Sequence, residues 1–263
     1  MRINDIGFNF LEKYLKNKRY NNIFIITGNN SFFKSGAAIA IKKMIGGKNV
    51  HFYFKECYFP EIKELKKIVK LLDKIKPDLI LAIGGGAVID YAKIVSCTNY
   101  KEITFKNIFL GKVKHDKRFE LCVVPTTAGS GAEVTSNAVI YINKQKFSFE
   151  SLKLLPDYFI LIPDLVYRLK KKIKASSGFD AISQSIESIL SIKSNKKSIQ
   201  FAKNSLQISL KNYLKFLQKP NKTNTLNMCL AANLSGKAIN ISKTIAPHAV
   251  SYPFTSHFGI NHG

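Results

Sequence analysis

The run Asp78 to Ile83 (DLILAI), followed at once by Gly84-Gly85-Gly86 and the helical segment 87–97, constrains this chain more than any other stretch. An unbroken apolar run of strand length reads as a strand buried on both faces, the habit of parallel sheets covered by helices. Strand, glycine turn and helix in that order make a phosphate cradle. Residues without Cβ let backbone N–H groups approach a pyrophosphate, and the positive end of the next helix favours its charge. Three glycines also serve a ligand-free turn; the buried strand in front of them favours the cradle.

The surrounding pattern agrees with such a sheet. Residues 22–27 (NIFIIT) read as a strand, 31–45 as a helix and 49–54 as a second strand. Pro60 then stands at a helix start, with Ile62, Leu65, Ile68, Val69 and Leu72 at helical spacing. Further strands are expected at 120–124, 138–142 and 146–149, the first followed by a loop of small residues. From residue 175 the pattern turns helical (175–192, 195–217, 224–242, 244–255) with no convincing strand. The expectation is an α/β dinucleotide-binding domain over 1–165 and an all-α domain over 166–263.

Composition narrows the class. With 263 residues and 46% hydrophobic content the chain can bury one large core or two modest ones. No apolar run approaches the roughly 20 residues that cross a bilayer, and the first twenty residues lack a signal-peptide core. A soluble cytoplasmic protein with no membrane partner is expected. Cys57, Cys97, Cys122 and Cys229 form no CxxC pair, so neither disulfides nor a zinc finger are expected. The net charge of +24 matches polyanion binders, yet much of it is lysine dispersed over helix faces, as at Lys63, Lys66, Lys67, Lys70 and Lys74. No stretch interleaves arginine with aromatics, which argues for a solvated surface and against a nucleic-acid partner.

Three more segments carry chemistry. Pro125 to Thr135 (PTTAGSGAEVT) offers several hydroxyl and amide donors to phosphate or ribose oxygens, and by itself also suits an ordinary polar loop. Gly178-Phe179-Asp180 reads as a helix opening, after which Asp180, Gln184 and Glu187 fall on one face at i, i+4 and i+7. That stripe fits a cation, or equally an N-cap followed by a solvated polar face. His248 and His262 lie fourteen residues apart, close enough for a chain reversal to bring both imidazoles to one ion. Histidines with an aspartate suit Fe²⁺ or Zn²⁺. His51, His115 and His257 read as structural or exposed.

Taken in order, GGGAVIDYAK, PTTAGSGAEVT, SGFDAISQSIES and HAVSYPFTSHFGINHG resemble the iron-containing (group III) alcohol dehydrogenases. The resemblance implies an α/β dinucleotide-binding domain joined to an all-α domain, the dehydroquinate synthase-like architecture. It also implies an NAD(P)H cofactor and a divalent metal, Fe²⁺ or Zn²⁺. The family's glycine turn falls on Gly84, Gly85 and Gly86, its serine on Ala87, and its aspartate and lysine on Asp90 and Lys93. Its cofactor-contacting threonine pair matches Thr126 and Thr127, with Ser130 in the same loop and Lys146 as the lysine after the next strand. Gly28 stands where many members carry an aspartate for the adenosine ribose. Without that carboxylate a 2′-phosphate is not repelled, so NADPH stands beside NADH.

The metal set implied is Asp180, Gln184, His248 and His262, with Gln184 in the place of a histidine. Tyr252 occupies the position of a substrate-pocket histidine, where a phenol can donate a proton or hydrogen-bond an anionic substrate. The variants DAxSQxIES and HAxSYPxTSHFGxxHG resemble most closely the phosphonoacetaldehyde reductase branch. Family members continue past the histidine-glycine with further helices, so the resemblance implies an incomplete helical domain, and a homodimer once complete. The function implied is metal-dependent reduction of a small aldehyde to an alcohol. A polyol dehydrogenase of the glycerol dehydrogenase kind and a non-catalytic dinucleotide-binding remnant are the alternatives.

Overall fold

A computed structural model of the chain describes residues 6–18 and 20–263. These form two compact units. One runs to Pro125 and includes Ser136–Ile162; the other comprises Thr126–Thr135 and Pro163–Gly263.

The first unit contains α1 (Phe8–Asn17), β1 (Asn22–Gly28), α2 (Asn29–Lys34), α3 (Ala37–Met44), β2 (Asn49–Lys55), α4 (Ile62–Ile75) and β3 (Leu79–Gly84). It continues with α5 (Gly86–Cys97), α6 (Phe105–Phe109), β4 (Glu120–Pro125), β5 (Asn137–Ile142), β6 (Gln145–Glu150) and β7 (Tyr158–Phe159). Five strands make a parallel sheet in the order β2-β1-β3-β4-β7. Every residue of β3 is buried, as a two-faced apolar run demands. Helix α4 packs against α5 and β5 and buries Leu65, Ile68, Val69 and Leu72 fully. Each such side chain contributes about 1.5–3 kcal/mol.

The strand order reverses between β1 and β3, whose carboxyl ends lie side by side. Thr27 pairs with Ile83, and its hydroxyl donates to the Ile83 carbonyl at 2.6 Å. Ligands of doubly wound sheets bind at this reversal. Gly28 and Gly84 close these two strands.

Two expectations need correction here. Residues 31–45 do not form one helix. The chain breaks after α2, because Gly36 takes the left-handed conformation (φ 84°) and starts α3. The strands expected at 138–142 and 146–149 do not join the parallel sheet. They pair with each other, antiparallel, across Asn143 and Lys144, both at positive φ as a two-residue hairpin turn requires, and Tyr141 adds an isolated bridge to Glu61.

The second unit is helical: α7 (Pro163–Tyr167), α8 (Lys171–Leu190), α9 (Lys196–Gln218), α10 (Lys222–Ser242) and α11 (Ala246–Phe258). Asn195 and Asn221 cap α9 and α10 through reciprocal side-chain and backbone bonds. Helices α8, α9 and α10 meet through serines. Ser185 donates to Ser205 at 2.8 Å, Ser205 to the Ala231 carbonyl at 2.8 Å, and Ser242 to Ser188 at 2.8 Å. A third correction concerns α8, which begins at Lys171, so Gly178-Phe179-Asp180 does not open it. Gly178 sits mid-helix because a Cβ there would meet the Tyr213 ring at 2.8 Å.

Among the described residues no helix is long and apolar enough to cross a membrane. The architecture is therefore an α/β sheet unit followed by an all-α unit.

Candidate functional site

In the sheet unit the glycine turn forms the N-terminus of α5. A Cβ at Gly84 would stand 2.5 Å from the Val88 Cβ, so only glycine lets the helix begin this close to its strand. Gly85 is the N-cap residue and has no side chain of its own to cap the helix, and the first turn holds no acidic residue. The positive end of α5, opened by Gly86, is thus left for an anion. At the neighbouring strand end, the space that a Cβ of Gly28 would enter lies 2.7 Å from the Ser31 hydroxyl. That hydroxyl donates to the Gly28 carbonyl.

One turn into α5, Asp90 accepts the Val139 amide and faces Lys93 and Lys146. Burial pushes its carboxyl up to about 6, against the pull of both lysines. Burial likewise lowers the Lys146 amine to about 8, although Asp90 opposes the shift. Lys93 is fully buried and donates to the Asn137 carbonyl at 3.0 Å. Asp90, Lys93 and Lys146 therefore tie α5 to the β5–β6 hairpin.

Thr126, Thr127 and Ser130 belong to the helical unit, with Thr126 buried and the other two partly exposed. The small residues of their loop have a packing reason as well. Gly131, at φ 59°, approaches Gly236 of α10 so closely that a Cβ would meet its Cα at 2.5 Å.

The metal-type cluster is assembled by α8 and α11. Asp180, Gln184 and Glu187 share one face of α8 and are 7%, 4% and 3% exposed. Gly259, left-handed at φ 66°, ends α11 and turns the chain back. The reversal brings His262 onto the helix it has just left. Its ring stacks on Tyr252 (centroids 4.8 Å, 9°), stands 5.1 Å from the His248 ring, and its Nδ1 lies 3.1 Å from the Ser251 hydroxyl. One ligand atom each from Asp180, His248 and His262 lies within 4.8 Å of the others.

Glu187 sets the chemistry of His248. One of its oxygens bonds His248 Nδ1 and the other accepts the Ile245 amide at 2.7 Å. A carboxylate accepts, so Nδ1 carries the proton and Nε2 faces Asp180 Oδ1 at 3.4 Å. Nε2 is fully buried and has no hydrogen-bond partner among the described residues. Burial opposes charging this imidazole, but the carboxylates of Asp180 and Glu187 outweigh it and raise its pKa. An orphaned ring nitrogen aimed at a carboxylate, with a second imidazole beside it, fits a divalent cation.

Gln184 stands next to this set with its amide nitrogen, and not its oxygen, toward Asp180. Its Nε2 donates to Asp180 Oδ1 at 3.3 Å, and its Oε1 accepts from Ser235 at 3.0 Å. In the sequence Glu187 showed only as a third member of the polar stripe, and its partnership with His248 had no signal there. Ser235 and Ser251, both distant in sequence from Asp180, gave none at all.

Two family models match: iron-containing alcohol dehydrogenase over residues 6–163, and its C-terminal counterpart over 174–263. A 4-hydroxybutyrate dehydrogenase of Clostridium kluyveri is 30% identical over 209 residues, covering 78% of this chain and 56% of the relative. A phosphonoacetaldehyde reductase of Streptomyces viridochromogenes is also 30% identical, covering 74% of this chain and 52% of its own length. The chain thus spans about half the length of these curated relatives. A crystal structure of sulfoacetaldehyde reductase from Bifidobacterium kashiwanohense with NAD⁺ superposes with a TM-score of 0.88 at 25% identity, covering 98% of this chain and 71% of that one. Another, described as an iron-containing alcohol dehydrogenase, gives 0.87 at 27%, covering 98% and 72%. The chain belongs to the iron-containing alcohol dehydrogenase family.

Proposed function

We propose that this protein is a metal-dependent NAD(P)H oxidoreductase that reduces a short aldehyde bearing an anionic group to its alcohol. The observation that carries the reading is the buried His248 Nε2, without a hydrogen-bond partner among the described residues, within one ion's reach of Asp180 and His262. Asp180, His248 and His262 are the residues that would hold Fe²⁺ or Zn²⁺. Bound there, such an ion supplies Lewis-acid polarisation of the aldehyde oxygen, and the nicotinamide supplies the hydride. Glu187 fixes the His248 tautomer that leaves the lone pair of Nε2 available to an ion. Tyr252, stacked on His262, is the phenol we assign to hydrogen-bond the substrate or protonate the alkoxide.

The glycine turn with Thr126, Thr127, Ser130, Asp90 and Lys146 is our assignment for dinucleotide binding. The absence of a carboxylate at Gly28 admits NADPH as well as NADH. We take the sheet-containing part, to about residue 165, as the dinucleotide domain and the rest as the metal and substrate domain. The anionic substrate class follows from the relatives. The names of the three cited above specify 4-hydroxybutyrate, phosphonoacetaldehyde and sulfoacetaldehyde, each a short chain ending in an acid group. Phosphonoacetaldehyde, giving 2-hydroxyethylphosphonate, is the first substrate to try.

The test is purified protein with Fe²⁺ or Zn²⁺, NADH or NADPH, and phosphonoacetaldehyde beside 4-oxobutanoate and acetaldehyde, followed by nicotinamide absorbance. Oxidation selective for the anionic aldehydes is expected. His262→Ala should lower turnover by orders of magnitude while dinucleotide binding, read by fluorescence, stays within about twofold of wild type, because the metal supplies several kcal/mol to the chemical step alone. Dinucleotide binding without metal uptake or reduction of any aldehyde would instead identify a non-catalytic dinucleotide binder.

A further inference from the structure

The helical unit has an unusual charge distribution. From Ser188 to the last residue the sequence contains ten lysines and neither aspartate nor glutamate. The acids of the unit are Glu133, Asp164, Asp180 and Glu187, and Glu133, Asp180 and Glu187 are 3%, 7% and 3% exposed. Asp164 alone is left to offset the exposed lysines.

Helix α9 concentrates this surface. At 3.6 residues per turn, Lys196, Lys203, Leu210, Lys211 and Leu214 fall within one arc of about 100°. Lys197 and Lys215 border it. All seven are exposed, and Leu210 and Leu214 are 65% and 63% exposed. None of the ion pairs among the described residues uses a lysine of this helix. A lone exposed leucine needs no explanation, but two adjacent ones framed by lysines on one helix face do. Leucines among lysines with no acid form the face of a helix that lies on an anionic lipid surface, where the lysines meet headgroups and the leucines enter the acyl boundary.

We propose that the outer face of α9 is a peripheral docking surface for anionic phospholipid. A nucleic-acid platform fits the same face less well. The arc carries no arginine, and the aromatic residues of α9, Phe201, Tyr213 and Phe216, are not exposed. The proposal gives the chain a membrane-surface partner that dispersed lysines in the sequence argued against, and it is independent of the aldehyde-reductase reading.

The test is co-sedimentation of the full chain with vesicles of phosphatidylglycerol and phosphatidylcholine in equal parts. Binding is expected to these vesicles and not to phosphatidylcholine alone, and it should vanish near ~1 M salt, where the screening length falls to about 3 Å. The variant Lys203→Gln/Lys211→Gln/Lys215→Gln should reduce partitioning about a hundredfold, at about fivefold per lysine. Leu210→Ser/Leu214→Ser, which leaves the charge unchanged, should also release the protein from vesicles. Both variants alter exposed side chains, so their melting curves should match wild type and separate lost binding from lost folding. Vesicle binding unmoved by either variant would overturn the proposal. So would loss of binding in the lysine variant alone, accompanied by equal loss of duplex DNA binding, since that pattern marks a polyanion surface without lipid insertion.

Discussion

Replacement of Glu187 by glutamine tests the metal site at the residue that organises it. Glu187 makes two bonds, one to His248 Nδ1 and one from the Ile245 amide at 2.7 Å, and it is 3% exposed. Glutamine has nearly the same shape but a single acceptor oxygen. If that oxygen keeps the Ile245 amide, the new NH₂ faces Nδ1 and can only donate. The imidazole then keeps its proton on Nε2, the atom needed as ligand. If the oxygen instead takes Nδ1–H, the Ile245 amide loses its acceptor, and a lost bond to a charged group costs about 1.5–3 kcal/mol. Either route should weaken metal binding about 10- to 100-fold, the usual effect of losing an outer partner of a ligating histidine. Titration of Zn²⁺ against a chromophoric chelator measures this directly. Substitution with Co²⁺ adds a visible absorption spectrum that reports the coordination itself, which a purely structural role for Glu187 would leave unmoved. Wild-type Zn²⁺ affinity with an unchanged Co²⁺ spectrum in the glutamine variant would refute the claim that Glu187 selects the His248 tautomer.

Three further outcomes are expected. Gly84→Ala places a Cβ against the Val88 side chain at 2.5 Å, so chemical denaturation should show a loss of about 1–3 kcal/mol, and calorimetric titration should show weaker dinucleotide binding. Burial lowers the Lys146 amine from 10.5 to about 8. The folded chain therefore binds fewer protons there than the unfolded chain between those pH values, and stability from this group rises with pH across that window. Lys146→Met should accordingly flatten the rise in melting temperature between pH 8 and 10, and an identical rise in both proteins would contradict the burial of this amine. Gln184→His supplies an imidazole where the amide now donates to Asp180, and dialysis against chelator should show metal retained at least tenfold longer, since nitrogen of imidazole binds Zn²⁺ and Fe²⁺ better than an amide oxygen.

The strands of the sheet were legible because buried parallel strands are written as continuous apolar runs. The break at Gly36 was not, because Ala37, Ile39 and Ile41 keep up an apolar pattern after it while the left-handed turn depends on backbone geometry. The hairpin of β5 and β6 read as strand but not as a separate sheet, since alternation specifies a strand and leaves its partner open. In the helical unit, Gly178 looked like a helix start because glycine is a poor helix former. Its place mid-helix is dictated by the Tyr213 ring, which belongs to another helix. The spacing of Asp180, Gln184 and Glu187 on one face needed only helical periodicity. Their division of labour needed the fold, because His248 reaches Glu187 across 61 residues and Ser235 reaches Gln184 across 51.

That last pair bears on how a site with glutamine in place of histidine can work. The Ser235 hydroxyl has one proton and two acceptors in reach, Gln184 Oε1 at 3.0 Å and the Ala232 carbonyl at 2.8 Å. It can satisfy only one at a time. Turning the amide over would let Ser235 accept from Nε2 while donating to Ala232, so Ser235 by itself favours the reversed amide. Reversal, however, would set Oε1 against Asp180 Oδ1, where the amide nitrogen now donates at 3.3 Å. Two facing oxygens repel unless a cation or proton lies between them, so the charge state of the cluster decides the amide's direction. Gln184 is therefore matched to both conditions: its N–H partners Asp180 when the cluster has no positive charge between the oxygens, and its oxygen becomes available when it does. A histidine at this position would offer a ring nitrogen where glutamine offers an amide oxygen, the weaker ligand, which is why Gln184→His should tighten metal retention.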